Sequence, residues 1–425
     1  MKKITRAAGL SLALLLAGFS FSGKESVLPD KLEAFSSDSG QALTAMALGP
    51  GLVNLSPADE FSTYQWGLKN DGEFRLMELK SKFKSVDDIY DGKRSGTGLG
   101  IPQPGPGNYE STVIQATTGI DIDIQPAWKL YDQAQNKRSV IVAIIDTGID
   151  INHQELQNAI WTNPGEIDGD GIDNDGNGYV DDIHGWNFYA GNNQIFTGSE
   201  DSHGTHAAGT ISASRGSYGI AGITDNNYVK IMSLKSLGGS DGVGSPGAVI
   251  QAIKYAEAMG ASICNLSMGT SSYSEELAQA IQNSGMLFVV SCGNGGISGL
   301  GYDTDTYPVY PASFPYDNVI SVANLLFDGS LSKDSNYGAA SVDIAAPGSY
   351  ILSTIPGNAY GFMSGTSMAA PMVTGVAAML YSYRPEISLA EVKSILLNSS
   401  RKLDSLTGKT VSGGLLDAYA ALSWQ

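Results

Sequence analysis

The apolar positions of this chain fall into two regimes. From residue 112 onward, short continuous apolar runs alternate with longer stretches of helical period. The run 139–145 lacks polar alternation and is rich in β-branched residues, as in a strand covered on both faces. Runs at 229–234, 262–266, 286–290, 319–323 and 342–345 repeat the pattern more weakly. Between them, apolar residues three and four apart predict helices over 246–259, 274–284 and 367–383. Another helix is expected to open within 201–214, and a last one to span 388–398. This alternation predicts an α/β fold, a doubly wound three-layer sandwich with a mainly parallel central sheet. Sites in such sheets lie beyond the C-terminal ends of the strands.

Before residue 112 the pattern is different. Lys2, Lys3 and Arg6 precede an apolar run over 7–21 that is short for a membrane span. This predicts a signal peptide over 1–22, cut after Ser22, and hence secretion to the exterior or cell envelope with no span in the mature protein. Residues 23–57 read as a leader or short pro-segment, and 58–111 as an N-terminal extension. Within that extension the charged stretch 73–92 looks helical, and the Gly/Pro tract 92–107 reads as an exposed insertion. Lys93 and Arg94 are a candidate processing pair. The main domain spans 112–425. If the mature chain instead begins near 112, residues 23–111 together make a pro-domain.

Composition narrows the partners. With 43 acidic against 25 basic residues, the formal net charge is −18. That argues against nucleic acid, which needs clustered Lys and Arg, and suits a protein that binds cations. Hydrophobic residues make up 42% of 425, enough for a large core. Cys264 and Cys292 both sit in apolar, strand-like runs and read as buried thiols as readily as a disulfide.

Four positions carry candidate chemistry. Asp146 ends the 139–145 run, with no glycine-rich phosphate loop beside it to suggest a dinucleotide. His203 and His206 are three apart, whereas a metalloprotease helix spaces its histidines by four around a Glu. No Cys or further His nearby completes a zinc shell, so a base role is favoured over a metal role. Asn294, among glycines after another strand-like run, offers its amide to an oxyanion or tolerates a left-handed turn. Ser367 opens the 367–383 helix, either as a cap or as a nucleophile at the positive end of the helix dipole. Pro371 is read as lying in the first turn, where a missing N–H costs nothing.

Taken together, four segments change the weighing. They are Asp146-Thr147-Gly148-Ile149-Asp150, His203-Gly204-Thr205-His206, Cys292-Gly293-Asn294-Gly295 and Gly365-Thr366-Ser367-Met368-Ala369-Ala370-Pro371. In this order of Asp, His, Asn and Ser, the chain resembles the subtilisin-like serine proteases, or subtilases (peptidase family S8). The resemblance covers roughly 112–422, with a weaker match at Gln65, Trp66, Gly67 and Leu68. It implies a subtilisin-like fold and a secreted serine endopeptidase, made as a zymogen, working on polypeptides as a monomer. Ser367 would be the nucleophile, His203 the base, Asp146 its orienting acid and Asn294 an oxyanion donor. His206 would be structural, and His153 and His184 lie outside the motifs.

The same resemblance implies a substrate groove between two extended segments, Asp241, Gly242, Val243 and Gly244 on one side and Ser267, Met268 and Gly269 on the other. Ser291 and Gly293 would help line the pocket for the residue before the cut. Gly295, standing where relatives can carry an acidic residue, favours a neutral apolar residue there. A basic one is admitted only if the loop with Asp303 and Asp305 reaches the pocket.

The acidic, glycine-rich run 168–182 carries oxygen side chains at alternate positions. This predicts a structural Ca2+ held by Asp173, Asp175, Asn177, Tyr179 and Asp182, although His184 at the twelfth position rules out an EF-hand. At a second calcium position common among subtilases, Glu155 supplies the acid but the 214–219 loop lacks the usual Asn. Two other classes stay open: a catalytically silent binding module, and a calcium-dependent surface protein.

Overall fold

The computed structural model describes residues 63–79, 109–216, 219–239, 241–296 and 299–425, and the backbone of Leu43–Ala45 and Leu48–Val53. The predicted signal peptide, most of the leader and the Gly/Pro tract lie outside the described residues.

The centre is a nine-stranded sheet. From one edge its strands are Arg401–Lys402, Gly414–Leu415, Ile344–Pro347, Val319–Leu325, Leu287–Ser291, Ile263–Leu266, Val140–Asp146, Val229–Lys235 and Gly185–Asn187. All neighbours are parallel except the first pair. Val140–Asp146 is flanked by Val229–Lys235 on one side and Ile263–Leu266 on the other. The chain thus leaves Asp146 toward one edge and later passes it to build the other half. That reversal opens a crevice at the C-terminal strand ends, where Asp146 stands.

Strand alternation divides the core between the two faces. Val142, Ile144 and Val289 pack with Ala207 and Ile211 of helix Ser202–Ser212 and with Val373, Val376 and Ala377 of helix Thr366–Tyr383. Ala143, Ile145 and Phe288 pack on the other face with Val249 and Ile253 of Pro246–Ala258 and with Leu277 and Ile281 of Glu275–Gln282. Each Val, Leu, Ile or Phe among them, fully buried, contributes about 1.5–3 kcal/mol. Ser245 and Ser274 cap the second pair of helices, their hydroxyls accepting from Ala248 N and Leu277 N at 3.2 Å each.

The N-terminal extension departs from expectation. Glu73–Leu79 is a strand, not the start of a helix, and pairs antiparallel with Tyr109–Gln115. Phe74 and Leu76 are buried while Glu73 and Arg75 are exposed, a period of two that the surrounding charges obscured. The boundary drawn at 111/112 therefore falls inside a strand. Upstream, Trp66 is fully buried against Phe74 and Phe327, and its indole N–H donates to Ser349 O at 2.9 Å. Gln65 is tied to Ala221 in both directions, accepting from its N–H at 2.8 Å and donating to its carbonyl at 3.0 Å. Residues 63–79 are thus built into the main core.

Helix Ile124–Gln133 and the hairpin Ile351–Ile355/Ala359–Ser364 add to the predicted elements. Leu48–Val53 extends that hairpin into a three-stranded sheet.

Candidate active site

Asp146 and His203 meet because a helix is allowed unusually close to the central strand. Gly204 makes this possible: a Cβ there would lie 2.3 Å from Gly148 O and 3.2 Å from Asp146 Cβ. Farther along the same helix, a Cβ on Gly209 would lie 2.2 Å from Thr354 Oγ1, so the small residues at 207–209 seat the helix on the 351–364 hairpin. His203 Nδ1–H donates to Asp146 Oδ1 at 2.7 Å, with both side chains almost wholly buried. The same oxygen accepts the Thr147 N–H at 2.7 Å. A ring that donates from Nδ1 carries its lone pair on Nε2, and His203 Nε2 has no hydrogen-bond partner among the described residues.

Ser367 is the second residue of helix Thr366–Tyr383 and is fully buried. Its N–H belongs to the first turn, where backbone donors lack intrahelical acceptors and the dipole is positive. Its hydroxyl donates to Ser267 O at 3.1 Å, and Ser267 Oγ donates back to Ser367 O at 3.1 Å. Pro371 explains the return bond. The helix begins at Thr366, so Pro371 lies beyond the first turn, and its missing N–H is the one that would have bonded Ser367 O. The expectation that this proline is free of cost is thus corrected: it strips a carbonyl of its partner, and Ser267 supplies the replacement.

Asn294 follows strand Leu287–Ser291, and its Oδ1 accepts the Thr366 N–H at 3.0 Å. With Oδ1 engaged there, Nδ2 is the end Asn294 can offer an anion. Ser291 is buried at the end of the same strand and Gly293 turns the chain with φ 96°.

Val243–Gly244 and Met268–Gly269 are two-residue strands, and Leu43–Ala45 of this same chain lies between them, antiparallel to both. Asp241 and Gly242 form the turn leading into the first of these. Asp305 faces away from any role as a loose anion: its carboxylate accepts from Ala340 N, Ser341 N and Ser341 Oγ. Partial burial raises its pKa, but the bonds from Ser341 and Ala340 outweigh this and hold it below the usual value.

The remaining histidines are engaged by backbone. His206 Nε2–H is shared between Ile351 O and Gly361 O at 2.9 and 3.1 Å, and burial depresses its pKa to about 3. His153 pairs with Ala359 O at 3.0 Å, and His184 with Trp161 O at 2.8 Å. Cys264 and Cys292 are buried free thiols, and desolvation pushes Cys292 up to about 12.

A buried ion pair beside the site escaped the sequence reading. Lys235, 1% exposed, ends the strand next to Asp146 and reaches Asp201 Oδ1 at 2.6 Å and Glu200 Oε1 at 3.2 Å. It also donates to Thr147 O, so one ammonium joins the segments that carry Asp146 and His203. A lysine closing an otherwise apolar run, with an acidic pair just before the His motif, was the available signal.

In the acidic loop, Glu166, Asp173 and Asp175 bring carboxylate oxygens within 4.8 Å of one another. Glu166 was missed because it lies before the alternating run, but it accepts the Asn174 and Asp175 N–H groups at 2.7 and 3.2 Å and so folds the loop. Asn177 links Asp175 and Asp182 through its amide at 3.1 and 2.9 Å. Asp182 is buried, accepting from Tyr255 OH at 2.5 Å and Asn163 Nδ2 at 2.9 Å, and the Tyr179 ring packs on Trp186, Phe188 and Tyr255.

A buried Asp–His pair at the switch point of a parallel sheet, in a chain that also carries a serine at a helix N-terminus, defines a class. The family model described as the subtilase family matches residues 137–415, and the chain belongs to that family. Subtilisin-like protease 1 of Plasmodium berghei (strain Anka) is 35% identical over 298 residues, 66% of this chain and 49% of that protein. Subtilisin-like protease 1 of Plasmodium falciparum (isolate 3D7) is 33% identical over 340 residues, 76% of this chain and 48% of that protein. The major intracellular serine protease of Bacillus subtilis (strain 168) is 34% identical over 300 residues, 69% of this chain and 85% of that protein. The chain thus spans about half the length of the Plasmodium proteins it matches.

Proposed function

We propose that this protein is a secreted serine endopeptidase that cuts polypeptides through Asp146, His203 and Ser367. The observation that carries the reading is the buried 2.7 Å bond from His203 Nδ1 to Asp146 Oδ1, which leaves Nε2 as a base. In the reaction, Nε2 takes the Ser367 hydroxyl proton as Oγ attacks the scissile carbonyl. Asp146 stabilises the imidazolium. The Asn294 amide and the Ser367 N–H receive the oxyanion, a contribution of about 3–4 kcal/mol per donor in such sites. His203 returns the proton to the leaving amine, and water then releases the acyl group by the same steps in reverse.

Substrate backbone is taken to pair with Val243–Gly244 and Met268–Gly269 as an added strand. The engagement of Asp305 by residues 340 and 341 supports a neutral residue before the cut. Secretion rests on the basic start and apolar run over 1–21. The all-oxygen cluster of Glu166, Asp173 and Asp175 suits a hard divalent cation, and we assign it to structural calcium. Among the described residues, no helix is long and apolar enough to cross a membrane.

The test is a fluorophosphonate probe with mass mapping of the adduct, alongside casein hydrolysis. Labelling at Ser367 and loss of both signals in Ser367→Ala are expected. An unlabelled Ser367 in folded, processed protein would sink the enzyme reading and favour a silent binding module.

A further inference from the structure

Strand Ile263–Leu266 carries a polar side chain into an otherwise apolar layer. Alternation puts Asn265 on the same face as Ile263, toward helix Thr366–Tyr383, and it is wholly buried. A buried amide is stable only where its hydrogen bonds are met. Asn265 Oδ1 accepts from Thr374 Oγ1 at 2.8 Å, and Nδ2 donates to Ser267 Oγ at 2.9 Å. Ser267 Oγ in turn donates to Ser367 O at 3.1 Å. Thr374 and Ser367 lie on one helix, about two turns apart. The path therefore leaves the helix at Thr374, crosses the strand at Asn265 and the groove wall at Ser267, and re-enters the helix at Ser367. All of these side chains are wholly buried. In such surroundings each bond of a chain polarises the next, and a break at one end is felt at the other.

We propose that Asn265 and Thr374 are positioning residues for the nucleophile, acting through the Ser267 hydroxyl. A hydroxyl has one hydrogen to give. The Asn265 N–H occupies a lone pair of Ser267 Oγ, so the hydrogen of that hydroxyl is turned away from Asn265 and onto Ser367 O. Thr374 holds the amide in the orientation that does this, because its hydroxyl gives a hydrogen to Oδ1 and so keeps Nδ2 toward Ser267. Thr374 also lies 3.0 Å from Ala370 O, one turn back, and that carbonyl competes for the same hydrogen. Asn265 therefore decides which way the Thr374 hydroxyl points. The carbonyl at the end of the path is the one that Pro371 leaves without a helical donor. Holding it fixes ψ of Ser367, and with ψ the bearing of Oγ relative to the N–H that receives the oxyanion. Asn265 and Thr374 reach the reacting serine only by this route and through the helix itself.

This inference rests on the serine-peptidase reading, and the experiment separates the two. Folded, processed wild-type protein is compared with Asn265→Leu and Thr374→Val, each alone and with Pro371→Ala. The readouts are the rate of fluorophosphonate labelling at Ser367, kcat and KM on a peptide substrate, and the urea midpoint. Each single variant is expected to lower kcat and the labelling rate roughly three- to tenfold, the equivalent of one neutral hydrogen bond, with KM changed less than about twofold. The two losses should not multiply when combined, since both cut one path. Pro371→Ala gives Ser367 O a helical N–H and should restore most of the rate in either variant, whatever it does to the urea midpoint. Thr374→Ser, which keeps the hydroxyl, should recover what Thr374→Val loses. Should Asn265→Leu fail to fold, Thr374→Val carries the same expectations. A labelled wild type whose variants keep its kcat, lose only KM, or stay slow with Pro371→Ala overturns the relay alone. Absence of labelling in the wild type overturns both.

Discussion

Removing the buried ammonium of Lys235 tests how the site is held. In Lys235→Met the apolar stem is kept while Asp201, itself fully buried, loses its charge partner at 2.6 Å. Breaking a buried pair by deleting one member costs about 3–5 kcal/mol, because the other charge stays behind uncompensated. Two features place this case near the low end. Asp201 Oδ2 retains bonds from Thr197 Oγ1 at 3.0 Å and Gly198 N at 3.2 Å, and burial already pushes the Asp201 carboxyl above its usual pKa, so it can take up a proton. We expect a loss of about 3 kcal/mol at neutral pH, shrinking as the pH falls and Asp201 is protonated. Urea unfolding in the Ser367→Ala background, which prevents self-digestion, reads this as a lower midpoint with an unchanged slope. Adding Asp201→Leu should recover at least half of the loss, since an apolar pair replaces an unpaired charge. In the active background, kcat should drop on the order of ten- to a hundredfold, because Lys235 also holds Thr147 O beside Asp146. A single-variant loss below about 1 kcal/mol would refute the account, for it would mean that water or a rearranged side chain already satisfies Asp201.

Three further outcomes are expected. Asn294→Ala should cut kcat by about 10²–10³ with KM little changed, as for the loss of one oxyanion donor; an equal loss confined to KM would instead make Asn294 a ground-state binding group. The folded protein keeps His206 neutral down to about 3, whereas an unfolded chain takes up that proton near 6.5, so acid favours unfolding. Its contribution is complete above about pH 6.5 and is lost toward pH 3 at a slope of up to about 1.4 kcal/mol per pH unit, which a pH series of urea midpoints should reveal and His206→Gln should lack. Cys292, wholly buried and pushed up to about 12, should resist a bulky thiol reagent until the protein unfolds; rapid native-state modification would show the pocket to be open.

The parallel strands were legible because burial on both faces leaves continuous apolar runs, and the boundaries of 229–234 and 319–323 moved by only one or two residues at their C-terminal ends. Asp146, His203, Asn294 and Ser367 were legible because each follows or opens such an element. What stayed hidden depends on contacts distant in the chain. The strand Glu73–Leu79 alternates only when its partner at 109–115 is known. The hairpin 351–364 carries its turn signal at Pro356, Gly357 and Asn358, but its strands are short and lie against the conspicuous serine motif. Lys235 and Glu166 were passed over because a charged residue reveals its role only through what it reaches.

The reciprocal bonds between Ser267 and Ser367 have a consequence for how such a chain can change over generations. Pro371 removes the N–H that would hold the Ser367 carbonyl, and the Ser267 hydroxyl takes its place. A chain that replaced the proline would regain the helical bond, and loss of the hydroxyl would then leave only Asn265 Nδ2, which donates to it at 2.9 Å, without that acceptor. One that discarded the hydroxyl first would strand a carbonyl in the turn bearing the nucleophile, at about 1–3 kcal/mol. Drift at these two positions, a hundred residues and more apart, therefore has a preferred order: a change at 371 lowers the cost of a later change at 267, where the Asn265 amide still uses the hydroxyl.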